Sequence, residues 1–170
     1  AIVVKIMDVT NKDEIISVSN QLSENGFRVD ILINNAAIDP KVSKDDGLTE
    51  NSRLENFALD QWDLQLNVGL TGAFLCSQVF GTQMAGDDKG GVILNIASDL
   101  SVFSPDQRLY REDNRAEHRQ PVKPVTYSVI KTGLIGLTRY LATYWANKNV
   151  RCNAMCPGGV ENGQSNDFLQ

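Results

Sequence analysis

Four short apolar runs, at 2–7, 29–33, 92–96 and 150–155, alternate along this chain with stretches long enough for helices. Runs of that length bounded by turn residues read as strands, and strands alternating with helices predict a parallel, doubly wound α/β sheet. The run Val29-Asp30-Ile31-Leu32-Ile33 is mostly apolar, as in a strand covered on both faces. Between the runs the pattern is helical. Asp8-Val9-Thr10 reads as a turn that caps a helix with the stripe Ile15, Ile16, Val18 and Leu22, which stops near Asn25-Gly26. A second helix is predicted over 62–84, with Gly69, Gly72 and Ala73 small enough for close packing. A third, over 125–147, carries Leu134, Leu137, Leu141 and Trp145 on one apolar stripe. The polar segment 39–56 reads as a loop with some local helix.

Composition removes several classes of function. A net charge of −5 leaves no basic stripe to neutralise phosphates, which argues against a nucleic-acid partner. No apolar run reaches the roughly 20 residues of a membrane span, and no signal peptide opens the chain, so no membrane partner is expected. Cys76, Cys152 and Cys156 have no CxxC spacing; they read as reduced thiols in a cytoplasmic protein, with no metal site. His118 is the only histidine and lies in a charged stretch, which argues against a Ser-His-Asp triad. At 170 residues the length is that of one domain. The chain opens without methionine, inside a strand-like run, and closes in a polar stretch, so it reads as a segment cut from a longer protein.

In an open α/β sheet, ligands gather at the carboxyl ends of the strands. Those ends here are Asn34-Asn35-Ala36-Ala37, Ala97-Ser98 and Pro157-Gly158-Gly159-Val160, all small or polar, so that a flat ligand can approach the backbone. The last helix opens with Tyr127-Ser128-Val129-Ile130-Lys131. Residues four apart share a helical face, and a nearby ammonium favours the phenolate of a tyrosine whose ordinary pKa is about 10. Such a tyrosine can exchange a proton with a carbonyl or alcohol.

Together these motifs resemble the short-chain dehydrogenase/reductase family over nearly the whole chain. Asn34-Asn35-Ala36-Ala37 is similar to the family's Asn-Asn-Ala-Gly, with alanine in place of the last glycine. Asn67 in Leu66-Asn67-Val68 matches its catalytic asparagine, and Ser98 its catalytic serine. Tyr127 and Lys131 match its YxxxK pair, Pro157, Gly158 and Val160 the segment that meets the nicotinamide, and Asp8-Val9 the pair that contacts adenine. The resemblance implies a Rossmann-like fold and an NAD- or NADP-dependent oxidoreductase. It casts Tyr127 as acid/base, Ser98 as the group that orients the carbonyl, Lys131 as the cation on tyrosine and ribose, and Asn67 as the holder of a proton-relay water. Asp8, Val9, Asn35, Ala36, Ala37, Tyr127, Lys131, Pro157, Gly158 and Val160 are then the cofactor-binding set. Two alternatives stay open: a non-catalytic binding module of the same fold, and a nucleotide-sugar epimerase or dehydratase with the same Tyr/Lys pair.

The chain departs from the family's pattern in three ways. The glycine-rich cofactor turn and the residue that selects NAD or NADP would precede Ala1, and the closing elements would follow Gln170. In the family's strand order the first and second strands separate the third from the rest. Residues 2–7 should therefore lack a pairing partner, and residues 1–170 alone should be inactive and poorly stable. Finally, 28 residues separate Ser98 from Tyr127, more than the family usually has. The excess, 104–124, holds five basic and four acidic residues and reads as a substrate lid. In it Arg108, Arg111, Arg115 and Arg119 either clamp a substrate carboxylate or phosphate or lie in a solvated loop. The insertion also resembles a bacterial subgroup associated with flagellin and surface-sugar modification, which implies a sugar or nucleotide-sugar substrate. Family members commonly form dimers or tetramers through the helices at 62–84 and 125–147, with Leu134, Leu141 and Trp145 as candidates for that face.

Overall fold

Among the described residues the sheet is built from three parallel strands in sequence order, β1 (Ile31–Asn34), β2 (Gly91–Ile96) and β3 (Val150–Met155). This computed structural model describes residues 2–38, 52–87 and 89–159. Most of the 39–56 loop and Val160 lie outside the described residues. Around the strands run α1 (Lys12–Glu24), α2 (Leu59–Leu66), α3 (Gly72–Gly86) and α4 (Val125–Tyr144).

Register explains where the core sits. Leu32, Ile93 and Cys152 stand in one row across the sheet, and alternation puts them on the same face as Ala154. Against that face pack Ile15 and Leu22 of α1, Phe80 and Met84 of α3, and Leu134, Leu137 and Leu141 of α4. The other face carries Ile31 and Ile33, 62% and 57% exposed, so the helices of the described residues cover one side of the sheet.

Residues 2–7 enter no ladder, and Ile2 and Ile6 are almost fully exposed. Their composition suits a strand, but a strand forms only against a neighbour, and among the described residues β1 pairs with β2 alone. The turn after them forms as expected, with Asn11 donating its backbone N–H to the Asp8 carbonyl. The capping side chain is Asn11, which accepts from the backbone of Asp13 and Glu14. Helix α1 ends at Glu24, with Asn25 as its C-cap and Gly26 just beyond it, whose φ of +75° takes the left-handed region open to glycine.

The helix expected over 62–84 is two helices joined by a π-helical turn, Asn67–Thr71. One inserted residue widens the turn without disturbing the apolar pattern enough to be seen in sequence. Its glycines sit where neighbours come close: a Cβ on Gly69 would lie 2.8 Å from the Ile130 side chain, and one on Gly72 2.8 Å from Val9.

The α4 stripe is confirmed, but it points inward. Leu134, Leu141 and Trp145 are 3%, 6% and 8% exposed and belong to the core, so they are not available as an oligomer face. The outward face of α4 instead presents Tyr140 and Tyr144, which stack on each other with ring centroids 5.6 Å apart.

Candidate active site

Strand β2 ends at Ile96, and three elements converge just beyond it. Ala97 donates its N–H to the Met155 carbonyl at 2.8 Å, and Asp99 donates to the Pro157 carbonyl at 3.0 Å. The segment after β3 is thereby tied to the chain around Ser98. From α4, the Lys131 ammonium donates to the Ile96 carbonyl at 2.7 Å. Lys131 is 9% exposed, so its charge is largely withdrawn from water and is satisfied at the strand end. The same ammonium lies 5.7 Å from the Tyr127 ring centroid. The structure thus groups Ser98, Tyr127, Lys131, Pro157 and Gly158 at the carboxyl ends of β2 and β3.

Ser98 is buried and committed locally. Its hydroxyl donates to the Asp99 carboxylate at 2.8 Å and accepts from the Leu100 N–H at 3.2 Å, while its own N–H donates to Ser101 Oγ. It therefore caps the turn Asp99–Ser101, and its proton must leave Asp99 before it can reach a substrate oxygen. Asn67 opens the π-helical turn and is exposed. That turn reaches α4 through Gly69, which packs on Ile130, three residues beyond Tyr127.

Asn35, Ala36 and Ala37 follow β1 as exposed backbone at the same end of the sheet. Asp8 and Val9 lie in the turn before α1, with Val9 packed against Gly72 at the start of α3. The Asp8 carboxylate accepts from the Thr10 N–H and hydroxyl at 2.8 and 2.9 Å, and chiefly the backbone bond holds its pKa below the ordinary value. A Cβ on Gly158 would meet only Asp99, at 3.8 Å, and one on Gly159 would meet nothing within 4 Å. Small exposed residues after β1 and glycines after β3 leave little side chain over the backbone at this end of the sheet, where open α/β sheets take their ligands.

Several supporting residues were not legible beforehand. Asn34 donates to Ser77 Oγ at 3.0 Å and to Asn95 Oδ1 at 2.8 Å, and Asn95 donates onward to Thr138 at 2.8 Å. This buried chain of amides and hydroxyls ties β1, β2, α3 and α4 together beneath the site. Thr126, beside the tyrosine, donates to the buried Gln65 of α2 at 2.5 Å. The only hint in sequence was that Asn34 and Asn95 interrupt otherwise apolar strands. Burial pushes the Cys152 thiol up to about 11 and also raises Cys76, so neither is poised as a nucleophile. Among the described residues, no group of three His, Cys, Asp or Glu could hold a metal ion.

The insertion is a folded loop. Arg108 pairs with Asp106 at 2.6 Å, Arg111 with Glu117 at 2.5 Å and Arg115 with Glu112 at 2.9 Å. Of the four arginines expected as a clamp, Arg108, Arg111 and Arg115 are thus committed to carboxylates of the loop itself. Its hub is Gln120, 5% exposed, which donates to the carbonyls of Glu112 and Arg115 and accepts from the Glu112 N–H.

A parallel α/β sheet with a tyrosine–lysine pair at its strand ends is the architecture of a nucleotide-binding enzyme, and comparison with known proteins narrows the class. The short chain dehydrogenase family model matches residues 1–110, and the enoyl-(acyl carrier protein) reductase model matches 114–169. The chain belongs to the short-chain dehydrogenase family. It is 28% identical over 157 residues to a 3-oxoacyl-[acyl-carrier-protein] reductase of Thermotoga maritima, covering 92% of this chain and 52% of that protein. A galactitol 2-dehydrogenase of Rhizobium johnstonii is also 28% identical, over 93% of this chain and 52% of its own length. A short chain dehydrogenase of Leptospira borgpetersenii, solved with bound NAD+, superposes with a TM-score of 0.79 at 31% identity, covering 95% of this chain and 56% of that one. The chain thus spans about half the length of the relatives it matches. Among the described residues, no helix is long and apolar enough to cross a membrane.

Proposed function

We propose that this chain carries the catalytic residues of a cytoplasmic NAD- or NADP-dependent oxidoreductase that interconverts an alcohol and a carbonyl. The observation that carries the reading is the buried Lys131 ammonium, anchored on Ile96 and 5.7 Å from the Tyr127 ring at the sheet end. A fixed cation beside a phenol favours loss of its proton, and Tyr127 is then the group that gives a proton to a nascent alkoxide or takes one from an alcohol. The cofactor, when bound, supplies or accepts the hydride. Ser98 turns its hydroxyl from Asp99 to the reacting oxygen and holds it by hydrogen bond. Asn67 holds a water that passes protons between Lys131 and solvent. Asn35, Ala36, Ala37, Pro157, Gly158 and Val160 line the nicotinamide side, and Asp8 and Val9 the adenine side.

The substrate is a sugar-like alcohol or its keto form, or a nucleotide sugar, with the insertion 104–124 as its lid. A matched relative acts as a galactitol 2-dehydrogenase, which supports a polyhydroxylated substrate. The whole protein forms a homodimer or homotetramer, with Phe74, Tyr140 and Tyr144, each at least 45% exposed, on the outward faces of α3 and α4. Following nicotinamide absorbance with NAD and NADP, in both directions, over sugar alcohols, keto sugars and 3-oxoacyl thioesters tests the reading on the whole protein. Turnover with the polyol or keto-sugar group is the expected result; no turnover with either cofactor would overturn it.

A further inference from the structure

A second ammonium faces the tyrosine. Lys123 Nζ lies over the Tyr127 ring, 3.6 Å from its centroid, nearer than Lys131 at 5.7 Å. At that distance the cation meets the ring face, because the edge hydrogens would hold a nitrogen farther out. Its backbone is held as well as its charge. The Lys123 N–H donates to Gln107 Oε1 at 2.8 Å, and the neighbouring Val122 N–H donates to Ser52 Oγ at 3.4 Å. Pro121 and Pro124, both buried, restrict the backbone on either side, and Pro124 leads directly into α4. Lys123 is thus the last charged residue of the insertion, delivered onto the tyrosine by a strap with few conformations open to it.

We propose that Lys123 is a positioning residue for the acid/base chemistry, forming with Lys131 a two-cation environment that favours the Tyr127 phenolate. The inference rests on the reading of Tyr127 as acid/base. It adds that the insertion tunes the proton affinity of the tyrosine as well as covering substrate, because the Gln107 bond ties the strap to the body of the loop. Other charges near α4 act differently, and Arg151 of β3 and Lys148 after α4 are exposed to water. Asp99, on the turn after β2, holds its carboxylate at the Ser98 hydroxyl and opposes the phenolate. Asp60 and Asp63 of α2 are exposed and screened by water, and the π-helical turn carries no charge. Near the strap, Arg108 and Arg111 are neutralised by Asp106 and Glu117. Lys123 and Lys131 both stand against the ring, 3.6 and 5.7 Å from its centroid.

The test is a phenol titration followed by ultraviolet difference absorbance, in which the Tyr127→Phe spectrum is subtracted so that Tyr127 alone is read. It needs no turnover and uses the whole protein. In Lys123→Gln the midpoint should rise by about half to one pH unit, roughly three- to tenfold in proton affinity, and more at low salt than at high. In Lys123→Arg, which keeps a cation over the ring, it should stay in place. The pH profile of kcat should move with the midpoint while the cofactor KM does not. If Lys123→Gln loses its folded circular dichroism, Lys123→Met removes the charge while keeping the apolar stem. A midpoint unchanged in both neutral variants at low salt overturns the proposal. A shifted midpoint in a protein that turns over nothing sustains the role of Lys123 and sinks the oxidoreductase reading instead.

Discussion

Two regions meet at the start of α4, and they are held together by opposite means. The sheet end is fastened from within. Asn95 is fully buried, receives the Asn34 amide at 2.8 Å and donates to Thr138 at 2.8 Å, and the Lys131 ammonium sits on a strand carbonyl. The insertion is fastened from without, by exposed arginine–carboxylate pairs around the buried Gln120. A buried hydrogen bond broken on one side leaves its partner unsatisfied, whereas an exposed ion pair exchanges readily with water. The first region can hold reacting groups in place, and the second can change shape at little expense.

The largest stability effect should come from Asn95→Ala, which removes the acceptor of one Asn34 amide hydrogen and the donor to Thr138, leaving Asn34 only Ser77 and Thr138 only the Leu134 carbonyl. A loss of about 2–4 kcal/mol in urea unfolding is expected. Gly81→Val should follow at about 1–3 kcal/mol, because a Cβ there would stand 2.5 Å from the Trp145 ring. Gln120→Ala should act locally. Hydrogen exchange should quicken across 107–120 by about one kcal/mol of lost protection, while β2 and α4 keep theirs. Equal loosening of both regions would erase the contrast between them.

Smaller effects probe the exposed pairs. Since Arg108 and Arg111 already have carboxylate partners, replacing both by alanine should leave substrate KM unchanged; a raised KM would restore the clamp. Arg108, through its side-chain hydrogen bonds first, holds the Asp106 carboxyl down at about 2, and Arg111 holds Glu117 below its ordinary value. A carboxylate with a depressed folded pKa lends stability above its unfolded pKa and loses it as pH falls through the folded one. The insertion should therefore loosen between about pH 4 and pH 2, a window that amide exchange can follow.

The order of elements and the strand ends were legible because strand length, glycine placement and the four-residue spacing of Tyr127 and Lys131 are local signals. The supporting structure was not. Asn34 and Asn95 look like defects in apolar strands until register brings them opposite each other. Gln65 and Thr126 are 61 residues apart, and nothing local announces their bond. The π-helical turn adds one residue to a helix and hides within its pattern. Leu134, Leu141 and Trp145 formed a visible stripe, but a stripe does not say whether it faces a sheet or a second subunit. For the same reason, the arginines of the insertion advertised charge without revealing their partners, and Lys123 passed unnoticed four residues before the tyrosine it touches.

The central claim is that the tyrosine at the fixed sheet end moves the proton. Turnover and cofactor affinity, measured together on the whole protein and its Tyr127→Phe variant, test it directly. The account predicts a loss of turnover of about a hundred- to ten-thousandfold with cofactor affinity unchanged. A Tyr127→Phe protein that turns over at the original rate would contradict it.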